Sequence, residues 1–179
     1  MLAALEQMDA AQCYLSVVGS PSIDPAYARR LHRRVQSGCL AGRVTFYGAL
    51  DGDALAKLLR ISHLLVVPSS YEGFGIVYLE GMGFGLPAIA TTSGGAGEIV
   101  TQGHDGFLIP PENPRVLAGR LSHLAENRQE LAEMGQAARL RYLAHPTWND
   151  SMRAIRQFLL EQTAAGERSE SRDPQPIFL

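Results

Sequence analysis

Short apolar or β-branched runs alternate with longer stretches of helical period along most of the chain, which is the pattern of a parallel sheet covered by helices. The runs predict strands over Cys13–Val18, Arg43–Tyr47, His63–Val67, Ala88–Thr91 and Gly106–Ile109. Between them, Pro25–Ser37 opens on a proline suited to a first helical turn, and Asp51–Arg60 opens on an aspartate suited to an N-cap, so both read as crossover helices. Gly75–Phe84 reads as a helix closed by Gly85 and Pro87. Pro114–Ala125, Arg128–Leu143 and Asn149–Gln162 then make an all-helical end. The expected fold class is α/β, a Rossmann-like parallel sheet flanked by helices with a helical C-terminal extension, in one domain over residues 1–162. Residues 163–179 carry too little apolar content to pack and are expected to be disordered.

Composition narrows the partners. With 16 basic and 18 acidic residues in 179, the chain has a net charge of -2, which offers no footprint for a polyanion and argues against a nucleic-acid partner. No stretch reaches the roughly 18 apolar residues of a membrane helix, and the N-terminal MLAALEQMDAAQ lacks the positive charge of a signal peptide, so the expectation is a cytoplasmic chain without a transmembrane segment. Cys13 and Cys39 have neither disulfide-framework number nor metal spacing and read as small buried apolar residues. The five histidines are scattered rather than grouped as ligands.

Ligands of open α/β sheets bind outside the carboxyl ends of the strands, which directs attention to PSSYEGFGIVYLEGMGFGLP. There the apolar run ends at Pro68, and Glu72-Gly73-Phe74-Gly75 leads directly into Ile76, Val77 and Leu79: strand, glycine loop, helix. Glycines 73 and 75 allow close backbone approach, and the N–H groups of Gly75, Ile76 and Val77 at the helix start suit phosphate oxygens. The loop is neither a dinucleotide fingerprint nor a Walker loop: Tyr78 and Leu86 stand where third glycines would be needed, and no Walker lysine is present. Two carboxylates, Glu72 and Glu80, flank the helix start. A carboxylate accepts two hydrogen bonds from adjacent hydroxyls, so a pair of them around a phosphate-binding helix end points to hydroxyl-bearing rings on both sides of a diphosphate, that is, to a nucleotide sugar.

The ordered pieces EGFGIVYLE, GLPAIAT and GGAGEIV, supported by YLSVVGSP, RVTFYGAL, HLLVVPSSYEGFG, GFLIPPENP and TWNDSMRAI, resemble the donor-binding, C-terminal domain of glycosyltransferase family 4 (group 1), retaining enzymes of the GT-B fold, over about residues 1–162. The resemblance implies a transferase that moves a sugar from a nucleoside-diphosphate sugar to an acceptor with retention, the leaving diphosphate taking the acceptor proton. It implies a catalytic-site role for Glu72, which with the backbone of Gly73, Phe74 and Gly75 holds the transferred sugar. Ile76 and Val77 at the helix start hold phosphate, Glu80 holds the ribose hydroxyls, and the loop Gly48, Ala49, Leu50 meets the nucleobase. It implies no metal and no cofactor beyond the donor substrate itself, the helix amides and cations serving instead of a metal.

Two departures from the family pattern shape the expectation for activity. The glycine-arginine…lysine-glycine segment that clamps the diphosphate in family members has no counterpart here, Lys57 being the one lysine. The N-terminal acceptor-binding domain of the GT-B pair is also absent, so the chain reads as half an enzyme, inactive without that partner in cis or in trans. The rivals are a non-catalytic nucleotide or nucleotide-sugar-binding module and a nucleotide-sugar epimerase of the same architecture. Other residues have structural readings: Glu98 as an N3 capping acid, Trp148 as a packing anchor, Arg29, Arg30, Arg33 and Arg34 as a solvated helix face, and Gly81 as tight packing or drift, while Tyr71 and Phe74 are divided between sugar pocket and core.

Overall fold

The computed structural model describes residues 1–9 and 13–170, with side chains through Thr163. In chain order the elements are α1 (Leu2–Leu5), β1 (Leu15–Val18), α2 (Pro25–Ser37), β2 (Val44–Gly48), α3 (Gly52–Ile61), β3 (Leu65–Val67), α4 (Ile76–Gly83), β4 (Ala88–Thr91), α5 (Ala96–Ile99), β5 (Gly106–Ile109), α6 (Pro114–Glu126), α7 (Arg128–Ala144) and α8 (Trp148–Glu170). Helix starts follow local chemistry. Asp24, Asp51 and Asn113 each accept a backbone N–H three residues on, from Tyr27, Ala54 and Val116, and Pro25 and Pro114 follow two of these caps at the first helical position.

Every strand pairing is parallel, but the sheet expected as one is two. β1 pairs with β2, and β3, β4 and β5 form a separate sheet in that order. Side chains alternate across the strands. Val66, Ile89, Phe107 and Ile109 join a cluster with α1, α2, α6 and α7, whereas Leu65, Val67, Ala88, Ala90 and Leu108 join one with α4 and α5. Helices thus cover both faces, and β4, the central strand of its sheet, is buried at all four positions. No helix among the described residues is long and apolar enough to cross a membrane.

α1 was not legible as an element, and a buried arginine explains its place. Arg43 is 6% exposed, and its guanidinium donates to the carbonyls of Leu5, Met8, Asp9 and Cys13 at 3.2–3.4 Å, so a charge inside the protein is met by main-chain oxygens. Four carbonyls would lose their donor in Arg43→Met. That variant should lose about 3 kcal/mol, since each hydrogen bond to a charged group is worth about 1.5–3 kcal/mol and two of the four, to Leu5 and Met8, lie inside the protein; the measurement is the fall in urea midpoint at unchanged slope.

The chain divides into two compact units, Met1–Leu143 and Ala144–Leu179. In the second, Thr147 and Asp150 cap α8 reciprocally: the Thr147 hydroxyl and N–H donate to the Asp150 carboxylate, which these bonds hold below its ordinary pKa, and the Asp150 N–H donates back to the Thr147 hydroxyl. α8 continues past Gln162 to Glu170, while residues 171–179 lie outside the described residues. Trp148 is 81% exposed, so the packing role expected of it is not found. Cys39 is likewise exposed, in the irregular turn after α2, whereas Cys13 is half-buried and its thiol is pushed up by burial.

Candidate functional site

The glycine loop lies between β3 and α4 and is held by the loop that follows β4. The buried Thr91 hydroxyl donates to the Ser69 carbonyl at 2.7 Å, pinning the loop's first residues. Further on, the Glu72 N–H donates to the Ser93 carbonyl at 3.2 Å and the Glu72 carbonyl accepts from the Gly95 N–H at 2.8 Å. Glu72 is therefore bridged in parallel with Gly94 through the backbone, and its side chain is half-buried.

Gly75 is the N-cap of α4, in the left-handed conformation at φ 88°. Its absent side chain makes room for another: a Cβ at this position would collide with the Tyr78 ring. No side chain caps α4, so the Ile76 and Val77 amides at its first turn point to the loop's surface with the helix dipole behind them. Ile76 is 64% exposed and Phe74 49%, and Tyr71 is exposed as well, which removes the core reading of these aromatics. Gly81 is tight packing rather than drift, because a Cβ there would stand 2.8 Å from Leu65 Cδ2 on β3.

Tyr78 is the residue that sequence reasoning passed over. It is fully buried under the glycine loop, and its hydroxyl has no hydrogen-bond partner. Burial, with the Glu72 carboxylate adding to it, pushes its pKa up to about 12. A phenol that ionises near 10 when unfolded but near 12 when folded contributes stability that is complete below pH 10 and is lost as pH rises from 10 to 12. Tyr78→Phe should remove that alkaline loss relative to the parent chain and leave stability at pH 7 equal or higher, since no bond is broken; thermal unfolding from pH 8 to 12 reads both.

The remaining expected site residues are distributed as follows. Glu80, in the second turn of α4, is exposed and with Val77 lines a cavity of 840 Å³ that Tyr47 and Pro68 also reach. Glu72, Gly73, Phe74, Gly75 and Ile76 are outside that cavity's lining, as are Gly48, Ala49 and Leu50. Gly48 ends β2 at φ 70° and its carbonyl accepts from the Gly19 N–H, which sets the Ala49–Leu50 turn beyond the carboxyl end of the strand. Glu98 occupies the third position of α5 without capping it: the Gly95 N–H it would have reached is given to Glu72, and no side chain caps that helix. Arg34 forms an ion pair with Glu6 at 2.6 Å, so one of the four helix arginines is engaged rather than solvated. His123 meets Glu130 at 2.7 Å and His32 packs against Phe46; among the described residues no group of three or more His, Cys, Asp or Glu could hold a metal ion.

The sequence profile described as "Glycosyl transferases group 1" matches residues 1–141, more than three-quarters of the chain and all of the glycine loop and its supports. The chain belongs to this family. Among curated relatives, a D-inositol 3-phosphate glycosyltransferase of Jonesia denitrificans is 32% identical over 144 residues, covering 80% of this chain and 34% of the relative. Sucrose-phosphate synthase from Thermosynechococcus elongatus superposes with a TM-score of 0.77 at 32% identity, over 92% of this chain and 41% of that one. An Anabaena protein crystallised in complex with UDP-glucose superposes with a TM-score of 0.73 at 27% identity, over 90% and 43%. The chain thus spans about a third of the length of the curated relative and about two-fifths of the solved structures. Its α/β Rossmann-like fold corresponds to roughly half of a larger GT-B enzyme.

Proposed function

We propose that the chain is the nucleotide-sugar-binding, C-terminal half of a retaining group 1 glycosyltransferase. The observation that carries the reading is the uncapped start of α4, opened by a left-handed glycine and flanked by Glu72 and Glu80, in a chain that superposes on a protein crystallised with UDP-glucose. On this reading the diphosphate lies at the Ile76 and Val77 amides, where the helix dipole and free N–H groups favour negative charge. Glu72 and the backbone of Gly73, Phe74 and Gly75 hold the sugar. Glu80 accepts from the ribose hydroxyls, and the Gly48–Leu50 turn meets the base. The leaving diphosphate takes the acceptor's proton as the sugar transfers, so the protein's part is to hold charge and geometry.

Calorimetry of the purified chain against the diphosphates of uridine, guanosine and adenosine, and against UDP-glucose, tests the site. Weak, millimolar-range binding of at least one supports it, and silence for all removes it. Glu80→Ala should cost about 1.5–3 kcal/mol, roughly 10- to 100-fold in affinity for the preferred nucleotide, the worth of one charge-assisted bond to a ribose hydroxyl. The fold should be untouched, since the carboxylate is exposed and alanine is the better helix former. Full affinity in that variant would return Glu80 to the status of a surface acid.

A further inference from the structure

The Tyr78 hydroxyl oxygen is the one buried side-chain polar atom among the described residues that has no hydrogen-bond partner. A buried donor left unpaired costs the fold, and native interiors rarely keep one without a use. Packing does not call for it. Phenylalanine fills the same space, and the buried residues clustered with the ring are apolar, Leu79, Met82, Ala88, Ala90 and Ala96 among them. The hydroxyl therefore finds its partner in another arrangement of the loop that covers it.

Local geometry narrows that partner. Tyr78 is the third residue of α4, and a long side chain on a helix leans back over the preceding turn, which here is the glycine loop. A Cβ on Gly75 would collide with the Tyr78 ring and would stand 3.5 Å from Glu72 Cγ, so the ring and the stem of the Glu72 side chain meet at the bare side of Gly75. The main chain beside them is committed: the Glu72 N–H donates to Ser93, the Glu72 carbonyl accepts from Gly95 and the Gly75 carbonyl accepts from the Tyr78 N–H. What remains of Glu72 is its carboxylate, half-buried on the same side of Gly75. After burial, that carboxylate is the cause that holds the phenol's pKa up, and a phenol pushed up to about 12 keeps its proton, and so stays a donor, throughout the neutral range.

We propose that Tyr78 is a positioning residue for Glu72: when the carboxylate turns to a ligand hydroxyl, the Tyr78 O–H donates to one of its oxygens and fixes its direction. The inference rests on the reading of Glu72 as the carboxylate that holds the transferred sugar, and it adds a second hold to that residue. The bonds to Ser93 and Gly95 fix only the Glu72 main chain. Its side-chain torsions would otherwise be ordered by the ligand alone, at an entropic cost that a ring already wedged against Gly75 removes. A carboxylate has acceptor sites enough for both partners, and a bond to the charged form is of the stronger kind. The effect is confined to the sugar, because the Ile76 and Val77 amides and Glu80 hold the rest of the ligand without it.

The test is a double-mutant cycle on the whole chain, with Tyr78→Phe, Glu72→Ala and the two together, titrated with UDP-glucose and with UDP and followed through the amide signals of Ile76 and Val77. Tyr78→Phe should weaken UDP-glucose binding about 5- to 10-fold and leave UDP binding unchanged. In the Glu72→Ala background the same substitution should change neither, since the group it acts through is gone. A side chain that only packs under the loop would weaken both ligands on both backgrounds, and that result overturns the proposal. Full UDP-glucose affinity in Tyr78→Phe overturns it too, while leaving the reading of the site in place. A parent chain that does not bind UDP-glucose removes the reading of Glu72, and the inference with it. One measurement needs no ligand: the ring signal of Tyr78 followed through its ionisation. Glu72→Gln should lower the phenol's pKa, because a neighbouring negative charge is gone. An unmoved titration would show that the carboxylate does not face the hydroxyl, and it overturns the proposal whatever the ligands do.

Discussion

Incubated with a nucleoside-diphosphate sugar and an acceptor, the purified chain transfers no sugar, and joining it to the acceptor half of a group 1 enzyme raises the rate by about five orders of magnitude or more. The expectation rests on proximity. Closing two domains over the donor holds the acceptor against the reacting carbon, and alignment of this kind supplies roughly 7–11 kcal/mol of a barrier. The chain spans about two-fifths of sucrose-phosphate synthase and of the UDP-glucose-bound Anabaena protein, and its glycine loop faces solvent through Tyr71, Phe74 and Ile76. A loop so open leaves a bound donor exposed to water on its reactive side. Transfer assays with radiolabelled donor, on the chain alone and on the fusion, read the difference. Robust transfer by the chain alone, abolished by Glu72→Ala, would make it a self-sufficient small transferase. Binding without transfer in both forms would favour the non-catalytic module.

Gly94→Ala should destabilise the chain by roughly 3–5 kcal/mol, combining a left-handed backbone that costs 1–3 kcal/mol with an overpacking term of similar size. Gly94 has φ 88° and sits opposite Glu72, where a Cβ would collide with the Glu72 carbonyl main chain. Relief requires the two loops to part, and parting them breaks the bonds that hold Glu72 in place. Gly103→Ala is the control: its φ is 72° but no atom lies within 4 Å of the added Cβ, so it carries the conformational cost of roughly 1–3 kcal/mol alone. Urea unfolding of both variants separates collision from strain. Nucleotide binding by Gly94→Ala, measured below its melting temperature, should fall with the stability.

The elements of this protein were legible because each depends on residues within a turn or two of one another. Asp24 and Asp51 announce helices three residues ahead of the amides they cap, and the apolar runs Ala88–Thr91 and Gly106–Ile109 coincide with β4 and β5 at both ends. The glycine loop and its two carboxylates were legible for the same reason, as was the family. The support of that loop was not. Thr91 holds Ser69 across 22 positions, Arg43 reaches Leu5 across 38, and bonds of that span leave no period in a sequence. Tyr78 and Leu79 look alike as consecutive apolar residues of one helix, and only the left-handed Gly75 beside it shows that the tyrosine ring fills the space under the loop. Glu98 has the spacing of a capping acid, yet the amide it would cap is claimed by Glu72 from another loop. Trp148 and Cys39 are residue types with a strong burial habit that ended exposed, because burial belongs to the assembled surface and not to the side chain. Hydrophobic pattern likewise called for one parallel sheet; that it forms as two, with a cavity lined by β1 and β3, follows from which edges find partners in three dimensions.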